Sequence, residues 1–184
     1  MAELIYVSAN GMYDQLAGGR ERSHRVLERA FARKGTSASA EVVTLCEDGG
    51  NVAGAMAAFP AEEAAPRSQA FIRLTLRSIP PWTWPRSLRL YVLGARAASQ
   101  PPGRCLYVDA LATDPAARRR GVARALLEEA ESRARGAGLG SLALDTVEDN
   151  RAARALYVDL GFEEMARSLP RWGMPGVVAL VKEL

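Results

Sequence analysis

The hydrophobic positions along the chain change period several times, and each change predicts an element. From Cys105 onward the pattern is sharpest. Cys105–Thr113 is a strand-like apolar run that Asp114-Pro115 stops. A helix is predicted from Gly121 to Arg135, with Val122, Leu126, Leu127, Ala130 and Ala134 on one face and the glycines of 136–140 ending it. Leu142–Val147 predicts the next strand. Asn150–Leu160 predicts a helix with Ala153, Leu156, Tyr157 and Leu160 inward and Gly161 closing it. Phe162–Ser168 and Val177–Leu184 predict two final strands, separated by the proline-bounded segment 170–175.

The first half reads less evenly. The short apolar run Leu4–Ala9 predicts a strand, and Met12–Leu16 a helical stretch broken by Gly18-Gly19. Ser23 is placed to cap a further helix that carries Val26, Leu27, Ala30 and Phe31 on one face and ends at Gly35. Glu41–Glu47 and Val52–Phe59 flank Asp48-Gly49-Gly50-Asn51, which predicts a hairpin. Ala70–Ile79 and Leu88–Ala98 fit either helix or strand, and the proline and tryptophan cluster 80–85 separates them.

Composition bounds what these elements can form. The 184 residues are 48% hydrophobic and 24% charged, an ordinary globular balance that suits one domain, 1–184. No run approaches the ~18 consecutive apolar residues of a membrane span, so no membrane partner is expected. The start, with Glu3 and only the short run Leu4–Val7, lacks the pattern of a secretory signal. His24 is the only histidine, and Cys46 and Cys105 are far apart. A zinc site, a thioredoxin motif and a disulfide framework are therefore not expected, and a reducing, cytoplasmic setting is. No Gly-Lys-Ser or Gly-Lys-Thr marks a P-loop, and the glycines of 136–140 follow a helix where a dinucleotide fingerprint would follow a strand.

Charge adds one local feature. The net charge is +3, and 22 of the 24 basic residues are arginine. No acid lies between Glu63 and Asp109, where seven arginines fall. So small a net charge gives nucleic-acid binding little support, and no nucleic-acid partner is expected.

The candidate chemistry lies at Arg118-Arg119-Arg120-Gly121-Val122-Ala123-Arg124, between a strand end and a helix start. A helix N-terminus carries unsatisfied N–H groups and partial positive charge, which suit a phosphate or pyrophosphate. Arginines there oppose the helix dipole, so stability alone does not place them. The bland alternative is a solvated basic helix start.

Leu111-Ala112-Thr113-Asp114-Pro115 followed by Arg118-x-x-Gly121-x-Ala123 resembles motif A of the GCN5-related N-acetyltransferases. Asn150-x-x-Ala153-x-x-x-Tyr157-x-x-x-Gly161-Phe162 resembles their motif B, and the order of elements fits. The resemblance is specific over 105–162. It implies an acyl-CoA N-acyltransferase fold: α/β (α+β), with a mixed, mostly antiparallel sheet flanked by helices. It implies acetyl-CoA as co-substrate, lying between strands 105–113 and 142–147. Backbone groups of Leu111, Ala112 and Thr113 would pair with the pantetheine arm. The loop Arg118, Arg119, Arg120, Gly121, Val122, Ala123 and Arg124 would hold the pyrophosphate. Asn150 would touch the pantetheine chain, as well as capping its helix. Tyr157 would reach the sulfur and donate to the leaving thiolate; the alternative is a core tyrosine.

Two carboxylates are candidate general bases. Asp109, two residues before Leu111, matches a glutamate position of some polyamine acetyltransferases. Asp145, twelve residues before Tyr157, matches the glutamate of ribosomal-protein N-terminal acetyltransferases. Both are short, which favours a water-mediated route, and Glu148 is a weaker third. The expected function is acetyl transfer to a primary amine of a small molecule or peptide, by direct attack in a ternary complex. The alternative is a non-catalytic acyl-CoA-binding sensor or interaction module. The enlarged middle segment, 60–104, would form an acceptor wall or a dimer surface, with the protein a monomer or homodimer.

Overall fold

Six strands form one sheet in a computed structural model that describes residues 2–8, 11–97, 101–170 and 175–184. The strands are β1 (Val43–Asp48), β2 (Asn51–Pro60), β3 (Cys105–Thr113), β4 (Ser141–Val147), β5 (Glu163–Ser168) and β6 (Val177–Glu183). Their order is β1-β2-β3-β4-β6-β5. Every neighbouring pair is antiparallel except β3 and β4. The expected mixed, mostly antiparallel sheet flanked by helices is therefore what the chain builds.

Two helix layers cover the sheet. On one face lie α6 (Val122–Gly136) and α7 (Arg151–Asp159), packed through Leu126, Leu127, Ala130 and Tyr157 onto Met56, Val108, Leu142 and Leu144. The remaining helices are α1 (Ala2–Ser8), α2 (Met12–Ala17), α3 (Arg20–Phe31), α4 (Ala64–Ser78) and α5 (Trp84–Ala97). A second cluster, with Ile5, Val26, Leu27, Ala30 and Phe71, joins α1, α3 and α4. Leu4 of α1 meets Ala55 and Ala112, which alternate along their strands with the residues facing α6. The first five helices thus cover the opposite face.

Three local expectations change. Leu4–Ala9 is helical over its described part, since α1 spans Ala2–Ser8 and Ala9 lies outside the described residues. Leu4 and Ile5 are consecutive yet both buried, one against the sheet and one against α3. A helix crossing the sheet allows this, and so short an apolar run carries no periodicity to announce it. Ser23 lies inside α3, where its hydroxyl donates to Gly19 O and Asp14 Oδ1 at 2.9 Å each. Its burial binds α3 to α2, and the helix starts earlier, at Arg20. The ambiguous stretches of the middle segment are both helical, as α4 and α5, although Ala98 lies outside the described residues. So do residues 171–174 of the segment before the last strand.

Candidate active site

Parallel pairing between β3 and β4 runs only from Cys105↔Ser141 to Val108↔Leu144. Beyond it β3 continues to Thr113 alongside β2, and β4 continues to Val147 alongside β6. Two strand edges therefore open away from each other, with backbone N–H and C=O groups facing the gap.

A bulge stands where the gap begins. Ala57 pairs with Ala110 and Ala58 with Val108, so Asp109 is an extra residue on β3 with no partner on β2. The bulge breaks the alternation that would put Asp109 and Leu111 on one face. Leu111 packs toward α6, whereas Asp109 is felt by Tyr13 of α2 on the opposite side. Asp145 sits across the gap on β4 and accepts a hydrogen bond from the Tyr107 hydroxyl at 3.1 Å.

Burial sets the character of these groups. Asp109 is exposed at its surface, yet enough protein surrounds its carboxyl to strip part of its hydration. Lost hydration raises its carboxyl to about 6; the Ser37 hydroxyl works the other way, and the Asp145 charge adds to the rise. Desolvation likewise raises Asp145 to about 6, partly offset by the Tyr107 hydrogen bond. Tyr107 is pushed well above its ordinary value, by burial first and then by the Asp145 charge.

The loop before α6 has the predicted form. Asp114 caps a 3-10 turn over Pro115–Ala117, its side chain accepting from Ala116 N at 2.8 Å. Arg119 then takes φ 63° and Gly121 φ 83°, and α6 begins. A left-handed arginine costs roughly 1–2 kcal/mol, which marks a loop held in a particular shape. Among the described residues, the backbone N–H groups of Arg118 through Arg124 make no short, well-aligned hydrogen bond to a protein acceptor outside the helix. Arg120 pairs with Asp48 at 2.6 Å, and Arg124 pairs with Asp159 at the end of α7. Arg118 and Arg119 have no carboxylate partner among the described residues. The side chains of Ala112 and Val122 are buried in packing, so only their backbone is available to a ligand.

Gly54 positions the start of α6. A Cβ there would stand 2.5 Å from Val122 Cγ1, 3.0 Å from Ala112 O and 3.1 Å from Leu126 Cδ1. No side chain fits, so the helix N-terminus lies directly on β2 beside the gap.

From α7 come the remaining candidates. Asn150 caps the helix, its Oδ1 accepting from Ala153 N at 3.3 Å, which leaves the side-chain NH2 unengaged among the described residues. Tyr157 is buried against Phe162, with ring centroids 5.7 Å apart. Burial alone raises its phenol to about 12, with no hydrogen bond contributing to the rise. Glu148 is turned away from this role by its ion pair with Arg167 at 2.7 Å.

The fold therefore brings the gap, both carboxylates, the loop and α7 together. Sequence reasoning missed Tyr107, Tyr13 and Ser37 beside the carboxylates, and Gly54 beneath α6. Tyr107 carried a signal, its two-residue spacing from Asp109 on a strand. Gly54 was hidden in a run read only as hydrophobic. Among the described residues no group of three His, Cys, Asp or Glu could hold a metal.

A family model described as the acetyltransferase (GNAT) family matches residues 11–162. A search of curated proteins finds no significant match. Among solved structures, an acetyltransferase superposes with TM-score 0.69 at 19% identity, covering 99% of this chain and 92% of its own. An N-acetyltransferase from Staphylococcus aureus Mu50 gives TM-score 0.73 at 20% identity, covering 98% and 92%. The ribosomal-protein-S18-alanine N-acetyltransferase from Escherichia coli gives 0.51 at 17%, covering 87% and 76%. Identities this low speak for the fold alone. The family match over most of the chain, on a fold these acetyltransferases share, places the protein in the acetyltransferase (GNAT) family.

Proposed function

We propose that the protein transfers the acetyl group of acetyl-CoA to a primary amine of a small molecule or peptide, by direct attack in a ternary complex. The observation that carries this reading is the opening between β3 and β4 beside a helix start with unpartnered amides. An extended chain ending in a diphosphate fits both parts. Leu111, Ala112 and Thr113 offer backbone groups to the extended arm, and the amides from Arg118 to Arg124 face the diphosphate charge. The side chains of Arg118 and Arg119 add positive charge. Arg120 and Arg124 can exchange exposed carboxylate partners for phosphate at little cost, because surface ion pairs are weak. Asn150 has a free amide to donate.

Bound acetyl-CoA supplies an activated carbonyl and a thiol leaving group. Asp109 and Asp145 lie on the side of the sheet covered by the first helices, and Tyr157 lies on the α6 and α7 side. An acceptor amine arriving from the first side would give its proton to the carboxylate pair. With values near 6, the pair is ionised at neutral pH yet more basic than ordinary carboxylates. Their short side chains favour transfer through a water. Tyr157 would keep its proton, since its phenol is raised to about 12, and would donate a hydrogen bond to the departing thiolate, which then takes its proton from water. Both cysteines are free, which suits the reducing cytoplasm where acetyl-CoA is available.

The test offers the protein acetyl-CoA with aminoglycosides, polyamines, amino acids and peptide N-termini, and measures thiol release. Release that depends on one amine class supports the proposal. Acetyl-CoA binding with no amine-dependent release indicates instead a non-catalytic acyl-CoA sensor.

A further inference from the structure

The acid-free segment contains a surface that lies apart from the carboxylate pair and the loop before α6. Of its seven arginines, Arg67 is held by Glu41 at 2.7 Å and Glu63 at 2.6 Å, and Arg104 donates to Gly138 O at 3.3 Å. Arg73, Arg77, Arg86, Arg89 and Arg96 have no acidic partner among the described residues, and all five are exposed. Three of them, Arg86, Arg89 and Arg96, stand on α5.

On the same helix large apolar side chains face water. Trp82, just before α5, is 81% exposed; Trp84 is 40%, Leu88 41% and Val92 44% exposed. Trp84, Leu88, Val92 and Ala95 recur at helical spacing and form one outward stripe. Arg89 and Arg96, seven residues apart, run along its flank. The opposite side of the helix is fixed. Ser87 is buried there, and its hydroxyl donates to Leu16 O at 2.6 Å; at the edge of the stripe the Trp84 indole is itself tethered, its Nε1 donating to Leu76 O of α4 at 2.9 Å. The main packing partners of α5 are α2 and α4, which makes it an outer helix with a settled orientation.

We propose that α5 and the Trp82 turn dock on an anionic lipid surface. The exposed apolar stripe would enter the boundary between headgroups and acyl chains, and the flanking Arg89 and Arg96 would meet the phosphates. Tryptophan suits that boundary because its ring is apolar and its N–H is polar. A fluid bilayer can deform around a tryptophan that projects as far as Trp82; a rigid protein partner would need a pocket shaped for it. A second copy of this chain is disfavoured by charge, since an isologous contact would set unpaired arginines against each other. Docking would be peripheral, because among the described residues no helix is long and apolar enough to cross a membrane. It departs from the expectation of no membrane partner that hydropathy alone suggested.

The experiment is cosedimentation of the full chain with two kinds of vesicle. One is phosphatidylcholine alone and the other is phosphatidylcholine mixed with phosphatidylglycerol. Binding is expected to the mixed vesicles only, and it should weaken as salt is raised. The exposed double variant R89Q/R96Q should lose about 25-fold in partitioning, at roughly fivefold per arginine. Trp82→Ala with Leu88→Ser should weaken binding while the melting temperature stays unchanged. No binding to mixed vesicles, or binding indifferent to both variants, overturns the proposal. So does a dimer in sedimentation velocity that either variant converts to monomer, which would assign the surface to a second copy.

Discussion

Asp109 and Asp145 hold their protons to about 6 because both lose hydration at the gap, and Asp109 also feels its neighbour's charge. The ascending limb of the pH–rate profile is therefore expected near 6, where the pair ionises, and its midpoint belongs to the pair. Stability should run the other way. Both native values lie above the ordinary 3.8, so the folded protein binds more protons than the unfolded chain between about 4 and 6. Stability falls as pH rises through that window. Asp109→Asn should thus raise the neutral-pH melting temperature by roughly 2–4 °C, for ~1 kcal/mol after discounting its solvent access. It should also remove or shift the acidic limb of the rate profile. Calorimetric melts and rates from pH 5 to 8 check both. Tyr157→Phe should lower turnover about a hundredfold while leaving acetyl-CoA affinity nearly unchanged, in steady-state kinetics and direct titration. Both aspartates and Tyr157 were legible as candidates through the resemblance that motifs A and B carry. Their raised values were not, because desolvation depends on what packs around a side chain.

Among elements, the junction of β2 with α6 decides how the unpartnered amides meet a ligand. Gly54→Ala would push Val122 and Ala112 O, and a backbone oxygen cannot move aside cheaply. The expected outcome is a loss of about 1–3 kcal/mol in stability and roughly tenfold weaker acetyl-CoA binding. Adding Val122→Ala should recover part of both losses, which a double-mutant cycle read by melting and titration will show. Strand and helix order from Cys105 onward was legible because the apolar period switches cleanly there. The bulge at Asp109 was not, since a bulge is a relation between two strands and β3 alone looks regular. Ser23 misled for a similar reason: a serine near a helix start reads as a cap until its buried bond to Asp14 is seen.

The whole molecule places the two carboxylates and the Tyr157 phenol on opposite faces of one sheet. The carboxylates face the first helices, and the phenol comes from α7 on the other side. This arrangement follows from a single parallel pair within an otherwise antiparallel sheet. The helices that would shape the acceptor side, α1 to α5, are also those the sequence described least well. Their contacts are made between distant segments, so local periodicity could not give the acceptor. The gap and the loop make a claim independent of that choice. Calorimetric titration of the protein with acetyl-CoA tests it most directly. The account predicts saturable binding at micromolar concentration, weakened by Gly54→Ala; no binding at millimolar acetyl-CoA would contradict it.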